Sequence, residues 1–397
     1  MFGARKNREQ PAGSAAPRSR RTVLLAAGAA VLAVVAGGLS WLFVSGKSGS
    51  PSASAAVQSD HARPVAKPVG PFRVLSVTPA QATHHVNGAA PVQIVFSAPL
   101  AAAAPMPRIT PAVHGTWSAK GSTLVFTPAT AFGPRSVVTV HVPAGRNGVH
   151  SASGSPLAAS VTDQFRTKAY STLRLQQLLA QLGYLPLTWT ATGTAPAADQ
   201  NAQLSAAFQP PAGTFSWQGH YPRTLRSQWV AGQPNMLEAG AIRAFENQRG
   251  LTMDGTAGPT VWRDLMRAAA KGDSNSAGYT YALASKASPE TLTIWHNGHV
   301  VLHTLANTGI PVAPTADGTY PVYLRYPFQI MKGTNPDGSK YADPVQNVSY
   351  FNGGDAVHYF PRSTFGWPQS LGCVELPLAQ SAVAYKYLTY GSLVTVR

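Results

Sequence analysis

The sequence predicts a multidomain chain: an N-terminal transmembrane helix, a β-sandwich, a three-helix unit and a mostly-β C-terminal domain. Three observations carry that reading. An uncharged run of 23 residues, Thr22 to Val44, stands behind a basic arm. Beyond it the apolar pattern moves from two-residue alternation to three- and four-residue steps, and back to alternation near residue 280. The single cysteine of 397 residues, Cys373, lies in the last of these segments, where no intramolecular disulfide can explain it.

Residues 1–21 form the basic arm, with Arg5, Lys6, Arg8, Arg18, Arg20 and Arg21 against Glu9 alone. As a helix the run that follows would be about 34 Å long, enough for a bilayer core of about 30 Å. The transmembrane helix is therefore expected over 22–45. The basic arm orients it with the N-terminus cytoplasmic and everything later outside, on the cell-wall side. A cleaved signal peptide is the rival reading, against which stand the length of the run and its ending in Trp41, Leu42 and Phe43. Of the formal charge of +16, +11 lies beyond the run. That excess suits an anionic wall matrix, and no nucleic-acid-binding motif accompanies it. Residues 46–69 are rich in Ser, Ala, Gly and Pro and read as a flexible linker.

Over 70–168, short apolar alternations are split by turn residues: Phe72 to Val77, Val92 to Phe96, Thr123 to Phe126, Val137 to Val142 and Gln164 to Arg166. This spacing predicts a small β-sandwich. The phrases Val92-Gln93-Ile94-Val95-Phe96-Ser97, Gly115-Thr116-Trp117 and Leu124-Val125-Phe126-Thr127-Pro128 resemble bacterial immunoglobulin-like (Ig-like) spacer modules. His84 and His85 are adjacent but lack a third ligand, so they read as solvated loop.

From 169 to 272 the pattern is helical. Leu175, Leu178, Leu179 and Leu182 mark a first helix that Gly183 ends; Leu237 to Gln248 and Pro259 to Ala270 mark two more. The phrases Leu175-Gln176-Gln177-Leu178-Leu179, Leu182-Gly183-Tyr184-Leu185-Pro186, Ala241-Ile242-Arg243-Ala244-Phe245-Glu246 and Asp254-Gly255-Thr256-Ala257-Gly258-Pro259 resemble the three-helix peptidoglycan-binding domain. An insertion over 188–235 interrupts the likeness.

The last domain is expected over 277–397. Asn297-Gly298 between two alternating stretches predicts a hairpin, and further strands are expected at Thr319 to Leu324, Val357 to Phe360 and Ser392 to Val396, with a helix over Leu378 to Leu388. A thiol attacks as thiolate, and an ordinary cysteine is mostly protonated at neutral pH, so Cys373 needs a base. Of the four histidines here, His296, His299 and His303 belong to the hairpin and have no acidic or cysteine co-ligand, so neither metal nor cofactor is expected. His358 ends an apolar strand fifteen residues before the cysteine and is the best base by position. The plain alternative for Cys373 is a buried small apolar side chain.

Asn307-Thr308-Gly309, then Pro314-Thr315-Ala316-Asp317-Gly318-Thr319-Tyr320, Val357-His358 and Ser370-Leu371-Gly372-Cys373-Val374 resemble, in that order, the L,D-transpeptidase catalytic domain of the YkuD fold. The resemblance implies an acyltransferase that acts on peptidoglycan stem peptides. Cys373 would be the nucleophile and His358 the base, with the Tyr359 carbonyl orienting the imidazole. Amides around Gly372 and Cys373 would hold the oxyanion, and Ser370 would support the turn. The thioester formed would be resolved by an amine from a neighbouring stem, giving a crosslink. Two positions depart from the family pattern: Leu371 stands where a histidine is usual, and Glu375 where Asn or Arg is. Glu375 is expected to repel a substrate carboxylate or to raise the cysteine pKa. An L,D-carboxypeptidase, and a weak or inactive wall-binding protein, are the alternative readings.

Overall fold

The computed structural model describes residues 70–397. The basic arm, the expected transmembrane helix at 22–45 and the linker lie outside them. Among the described residues no helix is long and apolar enough to cross a membrane. The fold class is corrected accordingly: among the described residues the architecture is a β-sandwich, a mixed helical unit and a mostly-β domain, with no membrane-spanning helix.

The first domain contains β1 (Val74–Thr78), β2 (Val92–Phe96), β3 (Arg108–Thr110), β4 (Gly115–Lys120), β5 (Thr123–Pro128), β6 (Val137–Val142) and β7 (Val161–Arg166). A four-stranded sheet in the order β1-β2-β5-β4 faces a three-stranded sheet, β3-β6-β7. Alternate residues point inward, as the strand period requires. Val92, Ile94 and Phe96 of β2 and Leu124 and Phe126 of β5 meet Val138, Val140 and Val142 of β6 and Phe165 of β7 in one core.

The second unit is more than three helices. The expected ones form as α1 (Thr172–Gln181) and, later in the chain, Met236–Arg249 and Pro259–Lys271. Between them the insertion folds into β8 (Leu187–Ala191), α2 (Gln200–Phe208), β9 (Gly213–Trp217) and α3 (Arg223–Arg226), the two strands pairing antiparallel. The two later helices are thus α4 and α5. Asn235 caps α4 by accepting the Glu238 N–H (3.0 Å). The apolar residues of the quoted phrases, including Leu178, Leu179, Ile242, Phe245 and Leu265, are core.

The third domain has two sheets. The first comprises β10 (Thr280–Ser285), β11 (Thr291–His296), β12 (His299–Leu305) and β13 (Gly318–Pro321). The second comprises β14 (Leu324–Thr334), β15 (Lys340–Asn352), β16 (Asp355–Tyr359) and β17 (Val374–Leu376). Then come α6 (Leu378–Tyr387) and β18 (Leu393–Val396), which inserts into the first sheet to give β12-β11-β10-β18-β13; the second sheet runs β14-β15-β16-β17. The Asn297-Gly298 hairpin forms as expected, with positive φ at both residues. Ala282, Ile294 and Val394 of one sheet, Val357, Val374 and Leu376 of the other and Ala384 of α6 share a core.

The second and third domains are welded rather than tethered. Tyr279, Tyr281 and Leu393 lie in the core of the helical unit. A Cβ on Gly240 of α4 would stand 2.6 Å from the Gly391 carbonyl oxygen and 2.9 Å from Leu393 Cδ2, so the two backbones approach closely with Leu393 packed beside them. Gln228 donates to Thr319 Oγ1 (2.9 Å) across the same boundary.

Candidate active site

β16 and β17 run parallel, with Val357 opposite Val374 and His358 opposite Glu375. Registered neighbours in a parallel pair share a face, and side chains alternate between faces. His358 and Glu375 therefore project from one face, and Cys373, one residue before β17, joins them there. This face opens into a cavity of about 680 Å³ lined by His358, Cys373, Glu375, Arg362 and Ser370 on one side and by residues of the β14–β15 hairpin on the other.

The sequence joins His358 and Cys373 through a turn that needs its glycine. Gly372 has φ +118°, a conformation side chains disfavour, and a Cβ there would lie 2.5 Å from Asp355 Oδ1. Ser370 Oγ donates to the Cys373 carbonyl (2.6 Å) and accepts the Gly372 N–H (3.2 Å). Ser370 thus closes the turn, and it occupies one of the two amides expected to hold an oxyanion.

The Asn307-Thr308-Gly309 segment is a brace for this turn. Asn307 exchanges both backbone hydrogen bonds with Glu375 (2.9 and 3.0 Å), and the Thr308 carbonyl accepts the Ser370 N–H (3.0 Å). Buried Glu290 fixes the brace by accepting from Thr308 N–H (2.6 Å) and Thr308 Oγ1 (2.8 Å). Thr315 Oγ1 accepts the Gly309 N–H (2.8 Å) and donates to the Cys373 carbonyl (3.4 Å).

His358 is 3% exposed and its Nδ1 pairs with the Tyr359 carbonyl at 2.9 Å. That bond makes Nδ1 the protonated nitrogen and leaves Nε2 as the basic one. Burial lowers the imidazole pKa below its ordinary value, partly offset by the Tyr359 hydrogen bond and by Glu375. The thiol donates to the Gly354 carbonyl at a Sγ–O distance of 3.7 Å. Burial first, then the carboxylates of Asp355 and Glu375, push its pKa up to about 12. At neutral pH the resting pair is thus thiol and neutral imidazole, not thiolate and imidazolium.

Glu375 does not face the cavity as a free carboxylate. Arg362 grips it through two bonds of 2.8 Å, Nε to Oε2 and Nη2 to Oε1, in the paired geometry that guanidinium favours. The expected effect of Glu375 on the thiol is present; the free charge that would repel a substrate is not. Leu371 lines the cavity as an apolar side chain.

Sequence reasoning missed the hairpin wall entirely. Gln329, Met331, Lys332, Tyr341 and Asp343 line the cavity from β14 and β15. The alternation Tyr326, Phe328, Ile330 and the Asp337-Gly338 turn were the available signals. Arg362 has no local signal, since its partner lies thirteen residues on. The hairpin histidines stay apart from the cavity: His296 pairs with Thr280 and His303 with Thr293. Among the described residues no group of three His, Cys, Asp or Glu side chains is arranged to hold a metal ion.

Two family models match the chain. Residues 279–396 match the L,D-transpeptidase catalytic domain, YkuD, and residues 69–167 match the bacterial Ig-like domain, Big_5. The C-terminal segment is thus similar to the L,D-transpeptidase catalytic domain and the first domain to a bacterial Ig-like domain; neither match covers 168–278, where a peptidoglycan-binding unit was expected. No curated protein matches the chain. Similar solved structures include an L,D-transpeptidase from Mycobacterium smegmatis, at 16% identity over 82% of this chain and 99% of that one, with a TM-score of 0.28. L,D-transpeptidase 3 from Mycobacterium tuberculosis, in complex with a faropenem-derived adduct, gives 16%, 82%, 98% and 0.28. The catalytic domain of the E. faecium L,D-transpeptidase gives 25%, 30%, 96% and 0.28. At these TM-scores none of the three bears on the reading of the site.

Proposed function

We propose that the chain is a peptidoglycan L,D-transpeptidase working on the wall side of the membrane, with Cys373 as nucleophile and His358 as general base. The observation that carries this is the placement of both side chains on one face of the β16–β17 pair, at the floor of a cavity of about 680 Å³. It lies within the YkuD match.

The reaction follows from the resting protonation. Sγ attacks the carbonyl after the third residue of a stem tetrapeptide while His358 Nε2 takes the thiol proton. Attack from the neutral pair avoids maintaining a buried thiolate between two carboxylates. The oxyanion is held by the Cys373 amide, Gly372 N–H being engaged by Ser370. The imidazolium then protonates the departing amine of the terminal D-alanine, leaving a thioester. An amine from a second stem attacks that thioester and gives up a proton to His358, and the thiol leaves as a new amide forms. Four carboxylates, Asp337, Asp343, Asp355 and Glu375, line the cavity against the two cations Lys332 and Arg362. In a chain of net charge +16 this local excess of negative charge favours an incoming ammonium acceptor.

Incubation of the protein with a stem tetrapeptide or a carbapenem, followed by intact-mass measurement, tests the assignment. An acyl adduct is expected on wild type and none on Cys373→Ala. A folded wild type that gains no mass with either reagent removes the proposal. Product analysis with and without an amine acceptor separates crosslinking from trimming.

A further inference from the structure

Arg362 stands four residues after His358, and its guanidinium touches both ends of the turn that carries the nucleophile. Nη2 donates to the Gln369 carbonyl (3.0 Å), just before Ser370, while Nε and Nη2 hold the Glu375 carboxylate, just after Val374. The guanidinium carbon lies 4.6 Å from the Phe360 ring centroid, so the group is stacked as well as chelated. Glu375 is 4% exposed and lies opposite His358 in the sheet. A carboxylate so placed, unpaired, would be costly and would act directly on both reacting groups.

We propose that Arg362 is a positioning residue of the site, clamping both ends of the Gln369–Glu375 turn and cancelling the Glu375 carboxylate beside the base and the nucleophile. The proposal rests on the transpeptidase reading for its place in a reaction, but the clamp itself is geometric. It also explains how the motif accommodates an acidic residue at 375: the positive charge reaches that position from the segment after β16. Glu375 and Arg362 pull the His358 pKa in opposite directions, the carboxylate up and the guanidinium down. The other charged or titratable groups lining the cavity around His358 and Cys373 are Asp355 from β16, Tyr341, Asp343 and Tyr350 from β15, Lys332 from β14 and Asp337 from the hairpin turn. None of these is removed in the variants below.

The test uses iodoacetamide, which reports the thiol and its base whether or not the protein accepts stem peptides. Alkylation of Cys373 is followed by intact mass across pH, with thermal unfolding measured in parallel. In Arg362→Gln the acid limb of the profile is expected to move to higher pH, because the unpaired carboxylate favours imidazolium, and the plateau rate to fall about tenfold, because the turn that carries Cys373 loses its clamp at both ends. Adding Glu375→Gln should return the limb to its wild-type position. Glu375→Gln alone should move it the opposite way, to lower pH, and this variant carries the test if Arg362→Gln does not fold. Arg362→Lys should keep the limb but not the plateau, since an ammonium cannot reach both ends of the turn. An unmoved limb in both single variants, or a shift that persists in the double variant, overturns the proposal. A wild type that alkylates normally yet resists stem peptides and carbapenems would instead remove the transpeptidase reading.

Discussion

Where the β16–β17 side of the cavity is dense with buried hydrogen bonds, the β14–β15 side is a half-exposed ribbon. Glu290, Thr308, Thr315, Ser370 and Glu375 each satisfy a partner on the first side, most of them out of contact with water. On the second side Gln329 and Met331 face the cavity while Tyr326, Phe328 and Ile330, alternating with them, are exposed on the other face of β14. A buried polar network holds atoms to fractions of an ångström because any displacement leaves a group unpaired. A ribbon with one face open can be altered at small cost. The proposed nucleophile and base, Cys373 and His358, sit on the first side, and the half-exposed lining residues sit on the second.

That division makes ordered predictions. Replacing His358 by Ala should slow acylation of Cys373 by roughly 100-fold or more, the scale of a general base, in single-turnover mass measurements; an unchanged rate would put the base elsewhere. Glu290→Ala, far from substrate, should lower unfolding free energy by about 2–3 kcal/mol in denaturant titration, because Thr308 N–H and Oγ1 lose a buried charged acceptor. If its stability is unaltered, the brace is not what holds the turn.

The pH profile sharpens the same contrast. The His358 imidazole titrates below its ordinary value of 6.5 and the thiol only near 12. The neutral pair therefore persists between them, and wild-type acylation should be nearly level from pH 7 to 9. An exposed thiol of pKa about 8.5 would gain roughly 25-fold over that range and level off near pH 9. The smallest effect belongs to the ribbon: Tyr341→Ala should raise KM for stem peptides a few-fold while leaving unfolding free energy within about 0.5 kcal/mol and iodoacetamide alkylation unchanged. A loss of alkylation there would erase the distinction between the two sides.

The same contrast decides what was legible beforehand. Cys373, His358, the Tyr359 carbonyl, Ser370 and Gly372 lie around one turn and the ends of β16 and β17, each set by a strand or turn close in sequence. The sandwich strands were readable for the same reason: β2 and β6 alternate cleanly. The hairpin wall was missed because its outward face carries Tyr, Phe and Ile where an amphipathic strand would carry polar residues, so the usual inside-outside signal is blurred. The insertion at 188–235 hid a folded strand pair and two helices, since β8 and β9 are short and separated by α2. Arg362 and Glu290 act through partners that only the tertiary fold brings near. The motif alone leaves Glu375 either repelling a substrate carboxylate or raising the thiol pKa, and only its Arg362 partner removes the free charge.

The contact between Gly240 and Gly391 has a mechanical meaning. Side chains at a domain boundary act as a compressible cushion that lets two bodies roll. Here backbone bears on backbone at Gly240 and Gly391, with Tyr279, Tyr281 and Leu393 packed around the contact, so the helical unit and the first sheet of the third domain are held together without such a cushion at that point. The direction in which the cavity bearing Cys373 faces is thereby tied to the orientation of the helical unit, and a single added methyl at Gly391, which would meet the Gly240 carbonyl oxygen, would disturb that tie.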